Sequence, residues 1–476
     1  LSQPGVEIGF VFRKVRDSVL AATNGAQEPY VSASLPGDAI FLVPPDASPP
    51  TPPAGEGSQT AGSASPSASE PPNTSPTTAS PPEAGVHLRI GEAVVTRSAA
   101  AAGEIDPDAQ VVSIVDLTTP AAEPRGQKLS GIAPRLGAPA RELGQVFGTA
   151  ISNGDGTDGQ GPDIYVAASP AFGLHRNAEN GGWQEGMWGA GGGPGSVYVL
   201  RAEQKYAPDL FADITLDGRP NSGAGLGNLA IDHRHRQLFV SDLETGMVHR
   251  LALENGRELD RFDHGGEGRI SFYDAASGAT ASLDAVPFDP APTALIEDCS
   301  DGEFSTTPSC WNFADFRRRI WGIGVRNDAT SGTTRLYYAL WGSTSYGNPD
   351  WAAAGNDQRN AVWSIGIGPD GGFNRADVRR EFYLPDYFTR PDKFQVLGPS
   401  HPVADISFSA CGAQDVMLLA ERGGIHNLGS DPLAPYARAH ESRVLRYELG
   451  PDGSWQPAGR YDAGFYDRAD EGPPHL

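Results

Sequence analysis

"GNLAIDHRHRQLFVSDLETGMVHRLALENG", residues 227–256, sets three apolar runs one behind another: NLAID, QLFVSDL and MVHRLAL. A charged "HRHR" separates the first two, and "ETG" separates the next two. Short runs rich in Val, Leu, Ile and Phe, broken by polar or glycine-bearing turns, read as antiparallel strands joined by hairpins. Whether this unit occurs once or recurs decides the fold.

It recurs, with long insertions that hide the period. The first strand appears as "QVFGTAI" (145–151), "LGNLAID" (226–232), "IWGIGVR" (320–326) and "VADISFS" (403–409). The second appears as "DIYVAAS", "QLFVSDL", "RLYYALW" and "DVMLLAE", and the third as "SVYVLRA", "MVHRLAL", "AVWSIGI" and "RVLRYEL". A weaker fourth strand follows each time: "LFADITL", "RELDRFD", "REFYLPD" and "SWQPAGRYD". Four strands repeated around a chain are the signature of β-propeller blades. The strands are also graded. The first strands carry Gly148, Asn228, Gly322 and Asp405 at one position, and Ala150, Ala230, Gly324 and Ser407 two residues on. Residues two apart lie on the same side of a strand, and small ones suit inner strands that converge on an axis. The second strands are the most apolar and the fourth the most polar, as an outer edge requires.

The expected fold is therefore all-β, a propeller of five or six four-stranded blades. Residues 87–140 add "HLRIGEAVVTRS" and "QVVSIVDLTT", expected as the second and third strands of an atypical blade. Residues 44–86 are dominated by Pro, Ser, Thr, Ala and Gly and hold almost nothing able to form a core, so a disordered, extended linker is expected. Its alternative is an O-glycosylated stalk, and Asn73-Thr74-Ser75 forms an N-glycosylation sequon. Residues 1–43 carry the strand-like "VEIGFVFRKV" and "DAIFLVPP", which either complete the propeller or pair with a partner. The domains expected are thus 1–43, the linker 44–86, and the propeller over 87–470.

A chain of 476 residues with 59 Gly, 41 Pro and only 20% charged residues suits many short strands and turns. Its net charge of −23 argues against nucleic acid or an anionic membrane surface as partner. No run reaches the about 18 apolar residues that cross a bilayer. The chain begins at Leu1 and stops at "EGPPHL", which reads as a portion of a longer product. Cys299 and Cys310 flank the turn-rich "SDGEFSTTPS" and are expected to close a local disulfide in an oxidising compartment, whereas Cys411 reads as a small turn residue.

The stretch "NLAIDHRHRQLFVSDLETGMVHRL" resembles an NHL-type repeat and the blades of gluconolactonase-like (SMP-30-like) propellers. Over about 88–466, "GQVFGTAI", "GGGPGSVYVL", "TLDGRPNSGAGLGNLAID" and "RRIWGIGV" resemble an uncharacterised family of secreted bacterial propeller proteins. The resemblance implies a secreted, periplasmic or cell-surface propeller and carries no activity with it.

The chemistry is expected in the loops. Insertions 170–195, 342–360 and 422–442 fall between second and third strands, and 265–318 falls between a fourth strand and the next first strand. In an antiparallel blade those joints share one face, so the insertions should crowd there as a binding face. Trp183, Trp188, Trp311, Tyr346, Trp351 and Tyr436 lie in these loops among Asn, Asp and Arg. They suit either stacking on a glycan or anchoring a protein partner, or they pin their own loops to the body. Lactonase-type propellers hold a divalent metal at the axis. The matching positions here offer Asn228 and Asp405 but glycine in the other two blades, with Asp242 or Glu421 able to lean in, and calcium is the metal such oxygen donors suit. The "NGDGTDGQGPD" loop adds Asp155 and Asp158 as a second oxygen-rich candidate, against a plain Asp/Gly turn. "HRHR" reads as a solvated turn. No GxSxG, HExxH or CxxC motif occurs, so no catalytic residue is assigned. The expected function is a binding or structural module for a protein or glycan. A calcium-dependent lactonase or esterase is the alternative, and a subunit that assembles through 1–43 is the third reading.

Overall fold

Each of the four matched quartets folds as an antiparallel meander whose strands lie in chain order across one sheet. The structure, a computed structural model, describes residues 88–101, 104–117, 134–153, 161–177, 181–289, 311–328, 331–342, 349–387, 401–409, 415–422 and 442–463. The expectations for 1–43 and 44–86, and for Cys299, Cys310, Cys411, Tyr346, Tyr436, Asp155 and Asp158, fall outside these residues.

Five blades of a β-propeller follow in order. The first holds β1 (Glu92–Thr96), β4 (Gln110–Asp116) and β5 (Leu136–Pro139), with a small hairpin of β2 (Ala100–Ala101) and β3 (Glu104–Ile105) between. The second holds β6 (Val146–Ile151), β7 (Ile164–Ala168), β8 (Ser196–Leu200) and β9 (Pro208–Asp213). The hairpin of β10 (Thr215–Leu216) and β11 (Arg219–Pro220) leads to the third: β12 (Leu226–Asp232), β13 (Gln237–Asp242), β14 (Met247–Ala252) and β15 (Glu258–Asp263). Next come β16 (Phe272–Asp274) and β17 (Ala279–Ala281), then the fourth blade of β18 (Ile320–Asn327), β19 (Thr334–Leu340), β20 (Ala361–Ile367) and β21 (Phe373–Tyr383). Strand β16 pairs in parallel with β21, so the insertion extends this blade to six strands. The fifth holds β22 (Val403–Ser409), β23 (Val416–Glu421), β24 (Ser442–Leu449) and β25 (Trp455–Ala463).

The first blade shows three strands among the described residues. Strands β1 and β4 pair without a register shift, as the second and third strands of the other blades do, and β4 pairs with β5 across one, as third and fourth strands do. Their joint, with β2 and β3, meets the 170–195 insertion, where the Ile105 amide donates to Gln184 Oε1 at 3.0 Å, and the Thr96 hydroxyl donates to the Phe147 carbonyl of β6 at 3.4 Å.

The third blade shows why the sequence folds this way. Its strands grade outward from fully buried β12 and β13 to mostly half-exposed β15. Alternate residues of β13 point to opposite neighbours: Leu238 and Val240 join the core with the second blade, and Phe239 joins the core with the fourth. Each such side chain contributes about 1.5–3 kcal/mol on leaving water. The "HRHR" segment is the turn between them. Asp232 accepts from the Arg234 amide at 3.1 Å and pairs with His235 Nδ1 at 2.6 Å, and Arg236 takes the left-handed conformation at φ 52°. The opposite turn is closed by Asp242, whose carboxylate accepts from the Glu244 amide and the Thr245 hydroxyl, and by Gly246 at φ 67°.

Inner strands β6, β12, β18 and β22 each carry a register shift at the same place, next to Gly148, Asn228, Gly322 and Asp405. A bulge of this kind inserts one extra residue and bends the strand. Neighbouring inner strands meet backbone to backbone there. A Cβ on Gly148 would stand 2.9 Å from Asn228 Cα, and one on Gly322 would stand 2.7 Å from the Val403 carbonyl oxygen. The small residues are therefore required by close approach, as their alignment implied.

Candidate functional site

The joints that carry insertions gather on one face of the disc. Ala171, Leu174 and Met187 from the 170–195 insertion pack with Trp311 from the 265–318 insertion, and with Trp341 at the start of the 342–360 insertion. Trp321 and Ala404, from the bulged stretches of β18 and β22, complete this cluster at the axis. The Phe147 ring lies 5.6 Å from Trp321, and the Arg422 guanidinium sits 5.4–6.0 Å from Phe147, Trp321 and Phe172. An aromatic layer capped by a cation thus fills the mouth of the ring.

This layer accounts for the aromatic residues expected to bind. Trp311 has no exposed surface and stands edge-on to Phe313 at 5.9 Å. Trp351 is 8% exposed and donates its indole N–H to the Gly342 carbonyl at 2.6 Å. Both rings pin their own insertions to the body, so neither offers a face to a ligand in this state. Trp183 and Trp188 are half-buried, edge-to-face at 5.3 Å, with Arg176 over Trp183. They are the two described members of the set that retain surface.

At the axis, Asn228 donates its side-chain amide to Asp405 Oδ1 at 2.7 Å. The two belong to the third and fifth blades, and Gly322 of the blade between them has no side chain to intervene. Burial pushes the Asp405 carboxyl above its ordinary value, with the Asn228 and Ile406 donors opposing the shift. As a calcium site this supplies two oxygen side chains where six to eight ligands are needed, and the Asn228 amide nitrogen, a donor, faces the carboxylate. Nor do Asp242 and Glu421 join them. Asp242 is occupied by Asn221 at 2.9 Å, the Glu244 amide and Thr245, and Glu421 is paired with Arg443. Among the described residues no three His, Cys, Asp or Glu side chains converge as metal ligands. The donor set does not fit the expected ion.

A different site stands on the same face. The β13–β14 turn, the segment after β17 and the segment before β18 enclose a cleft of about 360 Å³ lined by Glu244, Phe288, Asp289, Asn312, Asp315 and Arg318 among others. Glu244 is almost fully buried; its carboxylate accepts from Arg219 Nη2 at 2.8 Å and from the Ser222 amide at 2.6 Å. Burial, then the neighbouring Asp242 carboxylate, push its pKa up to about 7, against the Ser222 and Arg219 contacts. Arg219 and Arg318 lie over the Phe288 ring at 5.3 and 5.8 Å. Arg318 is held by Asp263 at 2.6 Å and by the Val286 carbonyl at 2.7 Å. Asn312, at φ 55°, donates to the Ser222 hydroxyl at 2.9 Å.

Behind the turn the charged chain continues inward. His249 Nδ1 bonds Glu258 at 2.7 Å, and its Nε2 lies 3.8 Å from Asp242. Burial alone would push the imidazole down; the acidic partners Asp242 and Glu258 outweigh it and hold the pKa above the ordinary value. The cleft therefore joins a carboxyl poised near neutrality, fixed guanidinium groups and aromatic edges, a set able to bind polar, hydroxyl-bearing ligands or to exchange a proton with one. Sequence reasoning passed over Glu244 as a turn residue in "SDLETG" and Arg318 as one of three arginines in "FRRRIW". The only available signal was an acidic residue in a turn facing a long insertion.

No family model matches the chain, and no curated protein matches it. The expected NHL or gluconolactonase-like membership accordingly stands at the level of the β-propeller. Among solved structures the chain is similar to a putative 6-phosphogluconolactonase from Bacteroides fragilis, at 11% identity and a TM-score of 0.34 over 79% of this chain and 82% of that one. It is similar to an auxiliary nutrient binding protein from Bacteroides ovatus, at 8% identity and 0.32, covering 80% of this chain and 59% of the other. It is also similar to a chain of a nidogen–laminin complex, at 11% identity and 0.31, covering 73% and 77%.

Proposed function

We propose that this chain is a binding module of the cell exterior, in the secreted, periplasmic or cell-surface setting that its acidic surface and Cys299/Cys310 pair suit, and that it takes a glycan at its insertion-rich face. The observation that carries this reading is the cleft at Glu244 on that face. A buried carboxyl, an Asn amide and fixed arginines offer sugar hydroxyls both acceptors and donors, while Phe288 and Phe313, which line the cleft, offer apolar edges. A protein partner docking over the same loops is the other form of this role. Among the described residues no helix is long and apolar enough to cross a membrane, and the net charge of −23 speaks against nucleic acid.

The test is a glycan array with the full chain, repeated with Glu244→Gln and Arg318→Met. Specific glycan signals that both substitutions lower at least tenfold support the reading. Signals that neither changes, or an array without any, would remove it.

A second reading has one observation in its favour. A carboxyl titrating near neutrality is suited to general acid–base work, so a lactone or ester hydrolase remains in view. Turnover of lactones with a pH profile breaking near 7, abolished by Glu244→Gln and insensitive to chelator, would establish it. Loss of turnover with chelator would instead overturn this metal-free form.

A further inference from the structure

We propose that the glycan taken at the Glu244 cleft is an acidic one, seated by a uronate-type carboxylate on Arg219. The inference rests on the glycan-binding reading of this face and adds to it the class of sugar.

The balance of spent and unspent groups carries it. The acids in and behind the cleft are already engaged. Both Glu244 oxygens accept, one from Arg219 and the other from the Ser222 amide. Asp315 takes Arg317 on both of its oxygens at 2.8 Å, and Asp263 holds Arg318. Asp242, in the same turn as Glu244, accepts from Asn221, Thr245 and the Glu244 amide. Asp289 stands at the exposed rim. Little is left to draw a cation inward. The arginines are not all spent in the same way. Arg317 is forked to Asp315, and buried Arg318 gives its two terminal nitrogens to Asp263 and the Val286 carbonyl. Arg219 differs. Its side chain is 33% exposed, it lies 5.3 Å over Phe288, and only its Nη2 bonds Glu244. A guanidinium carries five N–H donors, and among the described residues Nε and Nη1 of Arg219 hold no hydrogen bond. Arg219 can therefore take a second carboxylate beside Glu244.

Two carboxylates on one arginine repel each other unless one of them carries a proton. Glu244 meets that condition, because burial and then Asp242 raise its pKa to about 7 against the Ser222 and Arg219 contacts. Once Glu244 is neutral, Arg219 is a cation without a counter-charge, and an incoming carboxylate supplies it. The other charges that face the turn do not reverse this balance. Arg317 with Asp315 and Arg318 with Asp263 are matched pairs, and His249 stands behind Asp242 at 3.8 Å. The net charge of −23 opposes an anion at long range, but salt at physiological strength screens that field beyond about 8 Å. Phe288 and Phe313 offer the sugar ring its apolar contact in the same cleft.

The experiment is titration calorimetry of the full chain with a galacturonic acid trimer and with the matching neutral galactose trimer, at pH 6 and pH 8. The acidic trimer should bind at least roughly tenfold tighter than the neutral one at pH 6. Because it selects the protonated form of a carboxyl with pKa about 7, its affinity should fall about tenfold by pH 8. Binding at pH 8, compared in buffers of different ionisation enthalpy, should take up nearly one proton per ligand, and at pH 6 almost none. Arg219→Gln should weaken the acidic trimer at least roughly tenfold at pH 6 with the unfolding midpoint kept, since this side chain is partly exposed. The proton count on the unsubstituted chain tests the proposal without any variant. Equal affinity for the two trimers, an affinity for the acidic one that is the same at pH 6 and 8, or no loss in Arg219→Gln would each overturn it. Binding of the neutral trimer alone would overturn it and leave the glycan-binding reading standing. If neither trimer binds, this inference falls, and the glycan array separately decides the broader reading.

Discussion

Placing an alanine at Gly324 tests the close approach of inner strands on which the ring depends. Gly324 sits in β18 opposite Tyr337, and its added Cβ would stand 2.2 Å from the Ile406 carbonyl oxygen and 3.0 Å from the carbonyl carbon. An ordinary contact requires about 1 Å more. The obstructing atom is backbone of β22, fixed by pairing with Leu419, while the Ile406 side chain is locked in the core between the fourth and fifth blades. Neither sheet can yield without opening that core. Overpacking of this kind costs about 1–3 kcal/mol, and a backbone obstruction belongs at the upper end. Reduced freedom of the unfolded chain returns about 0.4–1 kcal/mol. The net loss should be about 2 kcal/mol, and at roughly 2 °C per kcal/mol for a large domain Tm should fall by about 4 °C. Gly193, whose added Cβ would meet nothing within 4 Å, is the matched control and should be neutral or slightly stabilised as alanine. Urea unfolding followed by tryptophan fluorescence gives both values. A Gly324→Ala midpoint equal to wild type, or to that of Gly193→Ala, would refute the backbone-contact argument.

Three further outcomes follow from named contacts. Glu244 has its folded pKa raised to about 7 against 4.5 unfolded, so the folded state holds the extra proton and stability declines as pH rises through about 4.5 to 7, by up to about 3 kcal/mol; urea midpoints from pH 4.5 to 8 should show this slope and Glu244→Gln should flatten it. Arg443 and Glu421 form an ion pair with both side chains essentially buried, the guanidinium also donating to the Pro385 carbonyl at 2.6 Å; Arg443→Met alone should destabilise by about 3–5 kcal/mol, and adding Glu421→Leu should recover most of that loss, because the stranded carboxylate is then gone. Asp405→Ala strands the buried Asn228 amide and should cost about 1–3 kcal/mol in the same assay, whereas Asp405→Asn, which keeps a carbonyl oxygen in place, should cost less.

How much of this was legible beforehand differs by element. The blades were readable because a strand's period of two and its turn residues are local: "QLFVSDLETGMVHRL" became β13, a turn closed by Asp242 and Gly246, and β14. The alignment of Gly148, Asn228, Gly322 and Asp405 was readable for the same reason, and the bulges fall beside these positions. Loop residues were harder. Trp311 and Trp351 could be read either as ligand surfaces or as pins of their own loops, because an aromatic ring in a polar loop looks the same whether it faces outward or inward; their burial decides for the second.

The sequence by itself determined a ring of antiparallel sheets and the face to which its long connections run, because strand alternation, turn chemistry and chain order are properties of neighbouring residues. The tertiary structure alone decided that Glu244, two residues past a strand end, would be buried beside Asp242 and against Arg219, and so titrate near neutrality in a cleft. A carboxyl's environment is made by segments distant in the chain, and no local pattern records which of them will meet.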